Sequence, residues 1–271
     1  MAPTAPDRDE LLRLYDREQR EYVVYPGMRR EEALAVVRHV SLRADRGTVV
    51  FTRLDATTAE EAISAQIAYF ESIGQDFEWK LYEHDRPSDL RARLESRGFE
   101  VEEPETIMIL DLETAAQSAF EHAATDVRPI LDTAGIDDVA ALLENVWGTD
   151  HASLGSRLAM ELREYPDYLS IYGSYEGGTL ASAAWINFHE GSRFASLWGG
   201  STRAECRGRG HYTALLAVRA GQARRRGARF LTVDAGAMSQ PILEGRGFHP
   251  VAVARACQWR VRDRVDCVTR I

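Results

Sequence analysis

A chain of 271 residues, 45% of them hydrophobic, is long enough for one large or two modest domains, each able to bury a core. Its formal net charge of −9, with no long block of lysine and arginine, argues against general affinity for nucleic acid or an anionic membrane and favours a cationic partner. Cys206, Cys257 and Cys267 are odd in number and lack CxxC or Cys/His spacing, which argues against a disulfide framework or a metal site and points to a reducing, cytoplasmic setting. The start, Met1 to Asp7, has no apolar segment, and no run is long enough to span a bilayer, so the expectation is a soluble intracellular protein.

In chain order, residues 9–20 and 29–46 read as helices, the second with Ala33, Val36, Val37 and Val40 at core-facing spacing and Gly47 as its stop. Residues 48–54 read as a β-branched strand. A helix follows over 58–73, opened by the capping pair Thr58 and Glu61 and closed by Gly74. A strand over 77–84, a helix over 87–97 with Pro87 at its start, and a strand or hairpin over 101–112 complete a mixed α/β first half. The small, polar run 113–125 reads as a linker with a helical turn, so the expected division is 1–112, 113–125 and 126–271. Beyond it, 127–130 is a strand and 135–147 and 153–165 are helices. Residues 168–175, 179–188 and 193–203 then form an antiparallel meander with turns at Glu176-Gly177-Gly178 and His189-Glu190-Gly191-Ser192. A helix over 211–226, a strand over 228–234, a helix over 239–246 and closing strands through Val251 and Trp259 follow.

The halves match one another. Leu94-Glu95-Ser96-Arg97-Gly98-Phe99 and Leu243-Glu244-Gly245-Arg246-Gly247-Phe248 lie 149 residues apart, and the same offset takes Asp85 to Asp234. Two matches at one offset suggest an internal duplication, hence a pseudo-dimer within one chain. The copies differ at one turn. The second half has Arg207-Gly208-Arg209-Gly210-His211-Tyr212-Thr213 between the meander and a helix, whereas the first has Asp55-Ala56-Thr57, acidic and without glycine. Glycines that turn N–H groups inward at a helix start suit a pyrophosphate, with Arg207 and Arg209 adding charge. The competing reading is a tight surface turn with solvated arginines.

Residues 207–212 resemble the Gln/Arg-x-x-Gly-x-Gly/Ala hallmark of the GCN5-related N-acetyltransferases, with Tyr212 in place of the last small residue. The order of elements over 127–262 is similar to that whole fold, and 47–112 resembles a degenerate copy of its later part. The resemblance implies a mixed-sheet α/β acyl-CoA N-acyltransferase fold with acetyl-CoA as acyl donor. It implies that the fourth and fifth strands of the second copy splay apart, with pantetheine amides pairing along Gly200-Ser201-Thr202 and the pyrophosphate on the N–H groups of Gly208, Arg209, Gly210, His211, Tyr212 and Thr213. Gly199 and Gly200 also fit a bulge in that strand. The first copy, without the glycines, is expected not to bind.

Acyl transfer from a thioester to an amine needs a route for the amine proton, a donor to the carbonyl oxygen and often an acid for the thiolate. The tyrosine that serves as acid in many relatives is replaced here by Leu243, and the asparagine that often opens the segment by Gly236. Ser239 is the nearest hydroxyl, either a helix N-cap before Gln240-Pro241 or a contact to the cofactor. Asp234, ending the fifth strand, is the first candidate for the base. Its counterpart Asp85 favours a structural duty such as capping a turn, and Glu144, His151, His189, Glu190, Glu205 and a water chain are further candidates. Trp147, Tyr165, Tyr168, Tyr172, Tyr175, Trp185 and Trp198 gather where the superfamily builds its acceptor site, as core or as a cation cage. The leading expectation is transfer to the primary amine of a small cationic molecule. A non-catalytic acyl-CoA-binding module and a peptide or protein N-acetyltransferase stand as alternatives.

Overall fold

A computed structural model describes residues 7–43, 46–120 and 125–261; Cys267 and the first six residues lie outside it. In chain order come α1 (Arg8–Tyr15), a π-helical turn (Asp16–Glu21), β1 (Met28–Ala33), β2 (Val36–Ser41), β3 (Gly47–Thr52), α2 (Ala59–Ile73), β4 (Phe77–Tyr82), α3 (Leu90–Ser96), β5 (Glu100–Val101) and β6 (Glu105–Asp111). A 3₁₀ turn (Gln117–Phe120) precedes β7 (Asp126–Ile130), α4 (Thr133–Trp147), α5 (Ala152–Glu164), β8 (Leu169–Glu176), β9 (Thr179–Phe188) and β10 (Phe194–Thr202). Then follow a 3₁₀ turn (Ala204–Cys206), α6 (His211–Arg225), β11 (Phe230–Ala235), α7 (Gln240–Glu244) and β12 (His249–Trp259). The mixed α/β class read from the sequence is the class found. Among the described residues no helix is long and apolar enough to cross a membrane.

Residues 29–46 do not form the expected helix. β1 and β2 pair antiparallel from Met28↔Ser41 to Ala33↔Val36, and the turn between them holds Leu34 and Ala35 at φ 52° and 59°, the left-handed pair that a two-residue hairpin demands. Every residue of β2 is buried. A strand covered on both faces loses its apolar and polar alternation, so helical spacing of its valines was no guide. Its polar members are satisfied inside: Arg38 donates to Glu31 and Gln66 at 2.8 and 3.0 Å, and His39 Nε2 donates to the Val23 carbonyl at 2.9 Å. The closing strands prove to be one strand, β12.

The chain divides into two compact units, Met1–Gln19 with Thr106–Val251 and Arg20–Glu105 with Ala252–Ile271, each taken over its described residues. This differs from the expected cut at 1–112, 113–125 and 126–271, for a reason in the strand pairing. β6 pairs with β11 from Asp111↔Phe230 to Thr106↔Ala235, and β12 pairs with β4 from Trp259↔Phe77 to Ala254↔Tyr82. The last strand of each sequence half therefore completes the sheet built on the other half. The run 113–125 is more than a connector, because Ala119 and Phe120 are buried in the core formed by α6, α7 and β6.

In the first unit the sheet order is β7-β8-β9-β10-β11-β6. One face packs on α6 and α7 through Ile186, Ala195, Leu197, Leu216 and Leu231; the other packs on α4 and α5 through Ile136, Leu158, Ile171, Ala183 and Trp185. In the second unit the order is β1-β2-β3-β4-β12, with β5 on β12, packed on α2 and α3 around Phe70, Phe77, Trp79 and Phe99. The repeat is physical at the helix ends. Gly98 and Gly247 have φ of +96° and +86°, Phe99 and Phe248 donate back to Leu94 and Leu243 at 3.2 and 3.1 Å, and both Leu–Phe pairs are buried, the hydrophobic signature of this helix stop. The match of Asp85 to Asp234 does not extend to the strands: Asp85 lies in the turn after β4, Asp234 within β11.

His39 makes the second unit sensitive to acid. Burial lowers its pKa from 6.5 to about 4, so the folded ring stays neutral where the unfolded one protonates. The stability that this neutral ring contributes is whole above pH 6.5 and is lost as pH falls towards 4, about 3 kcal/mol over that window. Urea unfolding between pH 7 and pH 4, followed by Trp79 fluorescence, should show this loss, and H39Q should flatten it.

Candidate functional site

β10 and β11 run side by side for only three residue pairs, Phe194↔Phe230, Ala195↔Leu231 and Ser196↔Thr232. Past that rung β10 continues to Thr202 against β9, and β11 continues to Ala235 against β6. The cause is a bulge in β10 between Trp198 and Ser201. Gly199 has φ +67°, and a Cβ there would stand 1.8 Å from the Trp185 ring, so only glycine fits. Arg219 secures the same place from α6. It is 2% exposed; its Nη1 donates to the carbonyls of Trp185 and Trp198 at 3.2 and 3.4 Å and its Nε to Leu215 O at 3.0 Å. Burial lowers its pKa to about 10, which leaves the guanidinium charged at neutral pH and bound to carbonyl dipoles at the bulge.

At the far end of the gap stands the glycine turn. Gly208 and Gly210 have φ of +74° and +88°, and Gly210 is the N-cap of α6 with no side chain to cap it, so the first amides of the helix face outward from a bare terminus. Tyr212, the departure from the hallmark, lies with its ring over Gly200, where a Cβ would come within 2.7 Å of it; the missing side chain on β10 makes room for the ring on α6. Thr213 Oγ1 accepts from Arg246 at 3.3 Å. Arg209 is not offered outward as free charge: it is tied to Glu176 at 2.5 Å, and buried His211 bridges Ser174 and Glu176 at 2.8 and 3.2 Å. The His211 and Arg209 bonds outweigh desolvation and lower the Glu176 pKa. Arg207 donates to Thr202 O at 3.3 Å. A cavity of about 280 Å³ beside the turn is lined by Arg203, Arg209, Glu176, Glu205 and Cys206, the thiol of Cys206 being pushed up by burial and the two glutamates.

Along the gap, Ser201 is buried and its Oγ accepts from Trp147 at 3.0 Å, while Ser182 ties Ser201 O and Thr202 Oγ1 at 2.8 Å each. Asp234 lies on β11 two residues past Thr232, beyond the last shared rung. Ser239 does not cap α7 with its side chain; its hydroxyl donates instead to Gly236 O at 3.1 Å. Leu243 is fully buried, so no acid comes from that position.

The second unit repeats the parting strands and fills them. β3 and β4 pair in parallel only from Gly47↔Phe77 to Val49↔Trp79, and β3 is irregular at Val50. There Arg20, 1% exposed, enters: Nε donates to Val50 O at 3.1 Å, Nη2 binds Asp85 at 2.7 Å and the guanidinium lies 3.7 Å from the Tyr82 ring centre. Asp85 Oδ2 also accepts from Tyr82 N at 3.0 Å, which gives this aspartate the structural duty expected of it. At the start of α2, Asp55 Oδ1 takes the Thr57 and Thr58 amides at 2.8 and 2.9 Å together with both hydroxyls. Those bonds, led by the Thr57 hydroxyl, lower its pKa to about 2. A carboxylate of the chain itself thus holds the amides of the turn before α2, where the turn before α6 has glycines.

A polar cluster absent from the sequence reading, save His189, sits at the rung where β10 and β11 part. Ser196, Gln19, His189 and Thr232 are each less than 10% exposed, and Thr232 Oγ1 has no hydrogen-bond partner. Arg219, at the bulge, left a trace in the sequence as one arginine on the otherwise apolar i, i+4 rows of Leu215, Leu216, Ala220 and Ala223. Gln19 and Ser196, 177 residues apart, could not be joined by pattern.

Replacing Gly199 by alanine combines a left-handed backbone with overlap on Trp185. G199A should cost about 2–4 kcal/mol in urea unfolding, with a red shift in tryptophan emission as Trp185 is displaced.

No protein-family model matches the chain, and no curated protein matches its sequence. Solved structures do match it over most of its length. A GCN5-related N-acetyltransferase from Kribbella flavida is 14% identical, with 93% of each chain covered and a TM-score of 0.65. A tandem GNAT protein from the clavulanic acid biosynthesis pathway is 13% identical over 97% of this chain and 90% of its own, with a TM-score of 0.62. A GCN5-related N-acetyltransferase from Sphaerobacter thermophilus is 16% identical over 87% and 80%, with a TM-score of 0.60. The parted strands, the bare helix terminus and this agreement lead to one conclusion: the chain has the fold of the GCN5-related N-acetyltransferases.

Proposed function

We propose that this protein transfers an acetyl group from acetyl-CoA to a primary amine, using the site between β10 and β11 in the first unit. The observation that carries the reading is the contrast between the two copies. One gap leads to the glycine turn and the start of α6 at Gly210, while the other is plugged by Arg20 and has the amides of the turn before its helix taken by Asp55.

The residues present fit the cofactor. Gly200, Ser201 and Thr202 lie on the part of β10 that has left β11, so their backbone can pair with amides of an extended arm. Gly208, Arg209, Gly210, His211, Tyr212 and Thr213 surround the start of α6 and would hold a pyrophosphate through backbone N–H groups. Acetyl-CoA, when bound, supplies an activated acyl thioester. Ser239, beside Gly236, is the hydroxyl that would meet the arm near α7. On β11, Asp234 and Thr232 share a face by the two-residue period, next to the rung where the gap begins. The acidic overall charge, together with Trp147 and Trp198 at 53% and 43% exposure, supports a small cationic amine as acceptor.

Leu243, buried where relatives place a tyrosine, favours a second reading, an acyl-CoA-binding module without turnover. Isothermal calorimetry with acetyl-CoA should give one site per chain, and G210D, which strains a positive-φ position and places a carboxylate at the anion site, should abolish it. Two sites or none in the wild type would refute the proposal. Steady thiol release from acetyl-CoA with amine acceptors separates the enzyme from the binding module.

A further inference from the structure

The turn that leads into α6 has two glycines at positive φ, Gly208 and Gly210. Glycine makes such a turn possible but fixes no conformation by itself, and it leaves the backbone many alternatives. The first helical hydrogen bond runs from Ala214 N to Gly210 O at 2.9 Å, so the amides ahead of Ala214 have no place in the helix ladder. What holds them in one arrangement comes from β8. Arg209, between the two glycines, donates through Nη1 to Glu176 Oε1 at 2.5 Å. His211, the first residue of α6, has Nε2 at 3.2 Å from Glu176 Oε2 and Nδ1 at 2.8 Å from Ser174 Oγ. An ionised carboxylate only accepts, so His211 Nε2 is the donor to Glu176.

Glu176 ends β8 and opens the turn to β9, where it pairs with Thr179. Ser174 and His211 are buried, at 0% and 4% exposure, so the inner end of this cluster is fixed in the core. β8 stands two places from β10 in the sheet; the turn that leaves β10 is therefore fastened to a different strand. The two copies use a carboxylate in different ways. Asp55 lies inside its turn and takes the Thr57 and Thr58 amides. Glu176 lies outside its turn and binds the side chains of Arg209 and His211, which leaves the backbone amides to an anion. We propose that Glu176 is the positioning residue of the pyrophosphate turn: by holding Arg209 and His211, the residues on either side of Gly210, it selects the backbone arrangement in which the amides from Gly208 to Thr213 can meet a pyrophosphate. The inference rests on the acetyl-CoA reading of this site.

A carboxylate beside a phosphate site also repels the ligand, and Arg209 offsets that charge by pairing with it. The side chains of Arg209 and Glu176 are 56% and 43% exposed, and an ion pair that open to water contributes little to global stability. Its effect is local. Ordering a turn with two glycines before the ligand arrives removes an entropy cost that binding would otherwise carry. The competing reading is that Glu176 only masks Arg209. Removing the carboxylate would then free a positive charge and tighten binding, whereas a positioning role predicts weaker binding.

The test is calorimetry of the full chain with acetyl-CoA, together with amide hydrogen exchange over residues 206–213 in the cofactor-free protein. E176A should weaken acetyl-CoA binding about tenfold and speed exchange of the turn amides about tenfold, with a melting temperature within about 2 °C of the wild type. E176Q keeps one carbonyl oxygen as acceptor, can hold either Arg209 or His211, and should fall between E176A and the wild type in both measurements. Where E176A fails to fold, E176Q carries the comparison. The inference is overturned if the wild type binds acetyl-CoA and the variants bind it equally well or more tightly, or if exchange in the turn is unchanged. Absence of acetyl-CoA binding by the wild type would instead bring down the acetyltransferase reading itself.

Discussion

The structure depends on a single constraint: two parallel strands that must separate after three residues. A sheet normally pairs every inner strand along its length, because an unpaired backbone amide in the interior costs about as much as a lost hydrogen bond. Here the separation is forced. Gly199 bends β10 into the space beside Trp185, and Arg219 holds the two carbonyls that the bend would leave without partners. A charged guanidinium bound to carbonyl dipoles without a carboxylate hydrogen bond is an expensive group to bury. Its retention on the apolar row of α6 is intelligible as the support of a gap in the sheet.

The same gap has two fates in one chain. In the second unit the parted strands are closed by side chains of the protein. Arg20 takes the carbonyl of Val50 and pairs with buried Asp85, and Asp55 takes the amides of the turn before α2. Removing one member of such a buried pair would strand the other charge at a cost of about 3–5 kcal/mol, so the filling of that gap is part of the unit's stability. In the first unit Gly199 stands at the bulge, and Gly208 and Gly210 form the turn that leads into α6. One fold element is thus spent on stability in one copy and left open to a ligand in the other.

Much of this was legible in the residues. Gly208 and Gly210 marked a turn with positive φ because no other residue takes that conformation cheaply. Gly74 ended its helix for the same reason, and the meander over β8 to β10 followed from its turn residues. The absence of glycine around Asp55 already separates the two copies in the sequence. The failures have equally specific causes. The spacing over 29–46 predicts a helix where the hairpin β1–β2 stands, because β2 is buried on both faces. The offset that joined Asp85 to Asp234 held for the helix ends and not for the strands, so an argument from one aspartate to the other did not carry over. Arg209 looked like charge for a phosphate until Glu176, 33 residues away, was found against it.

The sequence by itself determined most of the elements, though not the β1–β2 hairpin, together with the duplication and the turn able to accept an anion, since these rest on local conformational preference and short-range spacing. Only the tertiary structure decided which strands complete which sheet, what fills the first gap, and which groups meet at the mouth of the second. Arg20 with Val50, Gln19 with Ser196 and Arg219 with Trp198 are encounters between distant segments, created by strand pairing and burial rather than by any pattern along the chain.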